Sequence, residues 1–148
     1  MSGRGTRLVV KALDAAAALL PQPKERASHL VIGGKGEEEV YFYLRQRGYT
    51  IVARNWRSPR RRSEIDLIGW DGDCLCFIEV KTRSSHDVMP AEFAVDQEKR
   101  DDLRRVAREY LHRVPGRPAS RFDIVSVYYG PEKPSPSITL FKNAFTLA

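Results

Sequence analysis

Acidic side chains stand where a core strand would ordinarily carry another aliphatic residue. The stretch SEIDLIGWDGDCLCFIEVKTR, residues 63–83, holds two apolar runs either side of Asp71-Gly72. The first run carries Glu64 and Asp66, the second carries Glu79, and Lys81 follows two residues later. Carboxylates crowded on one surface repel each other unless something positive sits between them. Hard oxygen ligands with open positions suit Mg2+ or Mn2+, which keep several of their waters. A lysine on the same surface can orient a water, help deprotonate it, or stabilise charge on a phosphate. Metal-assisted phosphodiester hydrolysis needs this set of groups. Asp66 and Glu79 are the expected metal ligands, with Lys81 as their catalytic partner.

Whether these groups meet depends on strand geometry. Side chains on a strand alternate faces, so Phe77, Glu79 and Lys81 share one side, and Glu64, Asp66 and Ile68 share one side. A hairpin turning at Asp71-Gly72 sets Asp66 opposite Phe77 and Glu64 opposite Glu79. Asp66 and Glu79 are then diagonal neighbours, roughly 7–8 Å apart at the backbone. A three-residue loop would break that parity. The plainer alternative is a solvated sheet face, with Glu79–Lys81 and Glu64–Lys81 as surface ion pairs worth little.

The elements that must hold these residues can be read from apolar spacing. Residues 35–47 have helical periodicity, with Val40, Tyr41 and Leu44 on one stripe and Gly48 as the stop. Glu37 falls on the same inward stripe, while Glu38 and Glu39 fall to its flanks. YTIVAR, residues 49–54, predicts a strand followed by a basic loop, NWRSPRRR. After the hairpin, residues 84–95 lack a period and predict a loop. A second helix is expected over 96–114, where Leu103, Val106, Ala107, Tyr110, Leu111 and Val114 give strong helical spacing. Strands follow at 121–129 and 137–142. Ahead of all this, residues 8–20 predict a short helix and PQPKERASHL a linker. The organisation expected is an N-terminal extension over 1–30 and a main domain over 31–148.

Composition sets outer limits. The chain has 148 residues and is 42% hydrophobic, enough for one domain with a core. Lys and Arg total 25 against 19 Asp and Glu, a net charge of +6, and the pI is near 9.5. A basic balance favours polyanionic partners. The two cysteines, Cys74 and Cys76, suit neither a mutual disulfide nor a zinc site, and fit a reducing cytoplasm. No apolar run approaches the roughly 18 residues of a membrane span, and Lys11 and Asp14 interrupt the apolar N-terminal stretch that would otherwise suggest a signal peptide. His29, His86 and His112 show no ligand spacing, and Gly33, Gly34 and Gly36 lack the Lys-Ser/Thr of a phosphate loop.

Arg54, Arg57, Arg60, Arg61 and Arg62 precede the hairpin, with Trp56 among them, and suit phosphate contact. The same arginines would serve equally as a solvated loop. Trp56 could stack on an unpaired base or pack on the core. Lys99, Arg100, Arg104, Arg105 and Arg108 add charge along the second helix, partly offset by Asp101, Asp102 and Glu109.

Asp66, twelve intervening residues, then Glu79-Val80-Lys81 resembles the PD-(D/E)xK motif of restriction-endonuclease-like nucleases. More narrowly, GEEEVYFYLRQRGY, ARNWR, SEIDLI, FIEVKTR, the Lys99 region, RFDIVSV and KNAF resemble the YraN-type family of bacterial endonuclease-like proteins. These blocks span about residues 33–148. The resemblance implies an α/β fold with a restriction-endonuclease-like core: a mixed central sheet flanked by helices, in the order α-β-β-β-α-β(-β). It implies that Asp66, Glu79 and Lys81 form a nuclease site. It adds Glu37 as a further metal ligand, similar to the extra acid of archaeal Holliday junction resolvases. A first-turn acid meeting the helix dipole would also explain Glu37. Ser63 and Val40 depart from the family's usual Gly and Ala without removing a ligand.

The function expected is an Mg2+- or Mn2+-dependent endonuclease acting on DNA, including branched or structured forms. Arg54, Arg57, Arg60, Arg61, Arg62 and Lys99 would be its nucleic-acid contacts. The alternatives are a nucleic-acid-binding or adaptor protein that keeps the fold without turnover, and a protein-interaction module docking through its N-terminal extension. A homodimer would suit a duplex with two strands, although no residue marks a dimer face.

Overall fold

The computed structural model describes residues 26–83, 95–131 and 134–147. Within them lie two helices and five strands: α1 (Arg26–Gln46), β1 (Thr50–Arg57), β2 (Glu64–Asp71), β3 (Cys74–Arg83), α2 (Gln97–Leu111), β4 (Ser120–Tyr128) and β5 (Ser137–Phe145). The expected helix over 8–20, most of the expected loop over 84–95, and His86 lie outside the described residues, as does the side chain of His29.

The strands form one mixed α/β sheet in sequence order, β1-β2-β3-β4-β5. β1–β2, β2–β3 and β4–β5 pair antiparallel, whereas β3 and β4 run parallel. Parallel neighbours cannot be joined by a tight turn, so the chain between them needs a crossover, and that crossover carries α2. A core lies on each face. Val40, Tyr41, Phe42 and Leu44 of α1 pack with Leu67, Cys76, Ile78, Val125 and Val127. Leu103, Val106 and Ala107 of α2 pack with Ile68, Leu75, Phe77, Phe122 and Ile124. The central strands β3 and β4 are thus apolar on both sides, as their near-continuous hydrophobic runs require.

Several boundaries differ from the sequence reading, among them the end of α2, which stops at Leu111 instead of 114. α1 begins at Arg26, so the last residues of the expected linker are helical. Gly36 is not a stop signal but a packing requirement: a Cβ there would collide with Oγ1 of Thr82 on β3. β1 continues through Asn55-Trp56-Arg57, which shortens the basic loop. β5 runs on to Phe145, whose ring stacks on Phe122 at 4.3 Å. Where the reading held, the cause is local. Gly48 ends the α1 turn at φ 90°, with Tyr49 N–H donating to the Leu44 carbonyl. Asp96 caps α2 by accepting from Lys99 N–H.

Candidate functional site

β2 and β3 meet in a two-residue turn at Gly72-Asp73, one residue later than expected, with Gly72 at φ 58°. The register runs from Asp71↔Cys74 to Leu67↔Ile78. The ladder stops there, and Asp66 and Glu79 are the next residues of their strands, so the two-residue shift brings them level where a turn at Asp71-Gly72 would leave them diagonal. The Glu79 charge is accordingly the largest effect on the Asp66 carboxyl after burial.

Strict alternation along β2 is not kept. Ile65 and Ile68, three residues apart, pack into the same core layer, as do Ala53 and Trp56 on β1. The slip in both strands centres on Asp66 and on Asn55, a non-glycine residue with φ 48°. Asp66 is therefore released from the regular pleat. Its Oδ2 accepts from Val80 N–H at 2.8 Å.

Asp66 is 9% exposed and Glu79 7%. Lys81 Nζ lies 3.4 Å from Glu79 Oε1, while Glu79 Oε2 is buried with no hydrogen-bond partner. An unpaired buried carboxylate oxygen is costly and asks for a positive partner. Burial and then the Glu79 charge push the Asp66 carboxyl up to about 8, against the Val80 N–H, with Glu37 and Glu64 adding to the rise. Glu37 is raised by burial first and by Glu64 next. The Arg54 charge and a side-chain hydrogen bond from Asn55 oppose that rise, and Glu79 adds to it. Glu37 thus shares an electrostatic neighbourhood with Glu79, Glu64 and Arg54. It lies well inside α1, so the helix dipole does not explain it.

The oxygens a cation could use are those of Asp66 and Glu79, with Glu37 behind them. Two opposed carboxylates with an unpartnered oxygen fit a hard divalent ion better than a soft one. Among the described residues, no three His, Cys, Asp or Glu side chains are already gathered tightly enough to hold an ion. Glu37 would have to close in for a three-carboxylate shell.

The basic residues divide. Arg54 belongs to the acid cluster; its guanidinium lies 5.2 Å from the Tyr41 ring centroid, and its Nε is buried without a partner. Arg57 pairs with Glu64 at 2.7 Å. Arg61 pairs with Glu109 of α2 at 2.8 Å, and Ser58 also bonds Glu109, which anchors the loop. Arg60 and Arg62 are exposed on that loop. Lys99 sits in the first turn of α2, and among the described residues no ion pair or hydrogen bond joins its side chain to Glu37, Glu64, Asp66 or Glu79. Trp56 packs edge-to-face on Tyr110 at 5.2 Å, the core role of its two options. Asn55 and Glu64 were not singled out as site residues from sequence. Glu64 sat in the quoted acid run, and Asn55 showed only as a polar residue after an apolar strand.

Away from this site, Asp123 is fully buried on β4. It accepts from Arg121 Nε at 2.9 Å, Tyr49 Oη at 3.2 Å and Asn143 N–H at 2.9 Å. Arg121 also reaches Asp71 at 2.6 Å, so this network ties the hairpin end to β4 and β5. Cys74 and Cys76 are free thiols.

The sequence matches the family described as "Uncharacterised protein family UPF0102" over residues 36–127, which takes in every carboxylate of the cluster. The chain belongs to the UPF0102 family. A UPF0102 protein of Koribacter versatilis is 54% identical over 143 residues, covering 97% of this chain and 96% of its own. One from Solibacter usitatus is 51% identical over 114 residues, 76% of this chain and 84% of its own. One from Rhodococcus jostii is 43% identical over 122 residues, 80% and 99% respectively. Among the described residues of this UPF0102 chain, no helix is long and apolar enough to cross a membrane.

Proposed function

We propose that this UPF0102 protein is an Mg2+- or Mn2+-dependent endonuclease that hydrolyses DNA phosphodiester bonds, including those of branched DNA. The observation that carries the reading is the buried, unpartnered Oε2 of Glu79, set across the hairpin from Asp66 with Lys81 beside it. The element order, and a mixed sheet whose parallel pair includes the strand bearing Glu79 and Lys81, support reading the core as restriction-endonuclease-like.

In this reading Asp66 and Glu79 hold the cation and Glu37 completes its shell. When bound, the ion supplies Lewis acidity at the phosphoryl oxygen and lowers the pKa of water. Asp66 must lose its proton before it can act as a ligand, so its raised pKa makes loading pH-dependent. Lys81 Nζ orients the attacking water and stabilises charge on the phosphate. Arg54, whose charge lies beside the acids, meets a non-bridging phosphate oxygen through its guanidinium. Arg57, Arg60, Arg61 and Arg62 contact flanking phosphates, and Lys99 contacts DNA along α2. The free thiols accord with a reducing cytoplasm as the place of action.

Two observations favour a second reading, a DNA-binding module without turnover: no three acids are yet gathered among the described residues, and Lys81 already occupies one oxygen of Glu79. Cleavage of labelled single-stranded, duplex, flapped and four-way DNA in Mg2+ or Mn2+ at low salt separates the two. Metal-dependent cutting abolished by Asp66→Ala and by Lys81→Ala supports the nuclease. Salt-sensitive binding with no cutting in any lane supports the binding module and sinks the nuclease.

A further inference from the structure

Asn55 stands at an irregularity in β1. It is exposed, yet it adopts φ 48° inside β1. Left-handed backbone is costly for residues with a side chain, and asparagine is among the few that tolerate it. Such outliers persist where the surroundings hold them in place, and they concentrate at working sites.

Its neighbours pair regularly, Arg54 with Leu67 and Trp56 with Ile65. The intervening register places Asn55 across from Asp66, and that position is missing from the ladder. The break in β1 and the release of the Asp66 side chain toward Val80 therefore coincide. In the other direction, the Asn55 amide acts on the Glu37 carboxylate of α1, favouring its charged form as a hydrogen-bond donor does. One residue thus acts on the acid of the helix and stands at the gap in the ladder opposite the acid of the strand.

We propose that Asn55 is a positioning residue for the carboxylate cluster, holding Glu37 by its side chain while its left-handed backbone frees Asp66 from the β1–β2 ladder. This rests on the cation-binding reading of the cluster and adds the device that sets its geometry. The competing explanation is purely structural: the left-handed residue merely re-aims Trp56 into the α2 core. Asn55→Gly separates the two, because glycine keeps the backbone and removes the amide.

The test uses the full chain, with Mn2+ as the probe. Asn55→Gly is expected to melt within a few degrees of wild type, whereas Asn55→Ala, which strains the same backbone, melts lower. At pH 7 without metal, Asn55→Gly shifts the 13C carboxyl resonance of Glu37. Its Mn2+ affinity falls about tenfold, the lower end of what loss of an orienting partner costs. In a Glu37→Gln background the same change costs no further affinity, because Asn55 acts through Glu37. An unmoved Glu37 resonance with wild-type Mn2+ affinity overturns the proposal, as does an equal loss in the Glu37→Gln background. A melting loss in Asn55→Gly as large as in Asn55→Ala also overturns it. A wild type that binds no Mn2+ while the Glu37 resonance still responds removes the cation reading and supports the positioning role.

Discussion

Replacing Asp66 with asparagine should stabilise the metal-free protein, and the advantage should grow with pH. The Asp66 carboxyl has an ordinary value of 3.8, raised in the fold to about 8 by burial first and then by Glu79. Between those values the unfolded chain has released the proton and the folded chain has not. Raising the pH therefore favours unfolding, and this contribution is lost progressively up to about pH 8. From pH 5 to pH 9 the interval still to be crossed is about 3 pH units, or ~4 kcal/mol at 1.36 kcal/mol each. Asparagine cannot ionise, and its amide oxygen can still accept the Val80 N–H. The variant's advantage over wild type should widen by about 2–4 kcal/mol over that range, the lower figure applying if the carboxylates move apart. Urea unfolding at the two pH values reads this as a widening of the midpoint gap by about 1–2 M. Added Mg2+ at pH 9 should narrow the gap, because it binds only the folded wild type. A gap independent of pH, or a wild type that gains on the variant at pH 9, would refute the reasoning.

Arg121→Met should cost about 3–5 kcal/mol, because it strips the cationic partner from fully buried Asp123; chemical unfolding measures it, and a loss below 1 kcal/mol would mean that Tyr49 and Asn143 suffice. Gly36→Ala should destabilise by about 1–3 kcal/mol through the Thr82 hydroxyl and should weaken Mn2+ binding by displacing Glu37; Thr82→Ala in the same chain should restore part of both. Arg60→Ala or Arg62→Ala should each lower the salt slope of duplex DNA binding by about 0.9, since both side chains are exposed. Slopes unchanged in both would remove the loop from the DNA contact.

Much of this arrangement was legible because it depends on local rules. The two helix stripes, the apolar double-faced strands and the acids set within them each follow from spacing over a few residues. The turn was harder: Asp71-Gly72 and Gly72-Asp73 are both plausible two-residue loops, and choosing between them moves the register by two. That choice separated diagonal from level acids while leaving parity intact. The slip at Asp66 and Asn55 was illegible, because alternation was assumed to continue and nothing in the composition of a strand announces a left-handed residue. The start of α1 was missed for a related reason. Gly33, Gly34 and Gly36 read as punctuation, whereas the close approach of Thr82 makes Gly36 a packing requirement. Asp123 in RFDIVSV gave no hint of its burial, since its partners Tyr49 and Asn143 are distant in sequence.

The most direct test of the central claim is Mn2+ binding to the metal-free chain, followed by electron paramagnetic resonance at pH 8. About one ion should bind per chain, with binding lost in Glu79→Gln and strongly weakened in Asp66→Asn while both variants stay folded. A wild type that leaves Mn2+ free, or variants that bind it as well as wild type does, would contradict the assignment of these buried carboxylates as a cation site.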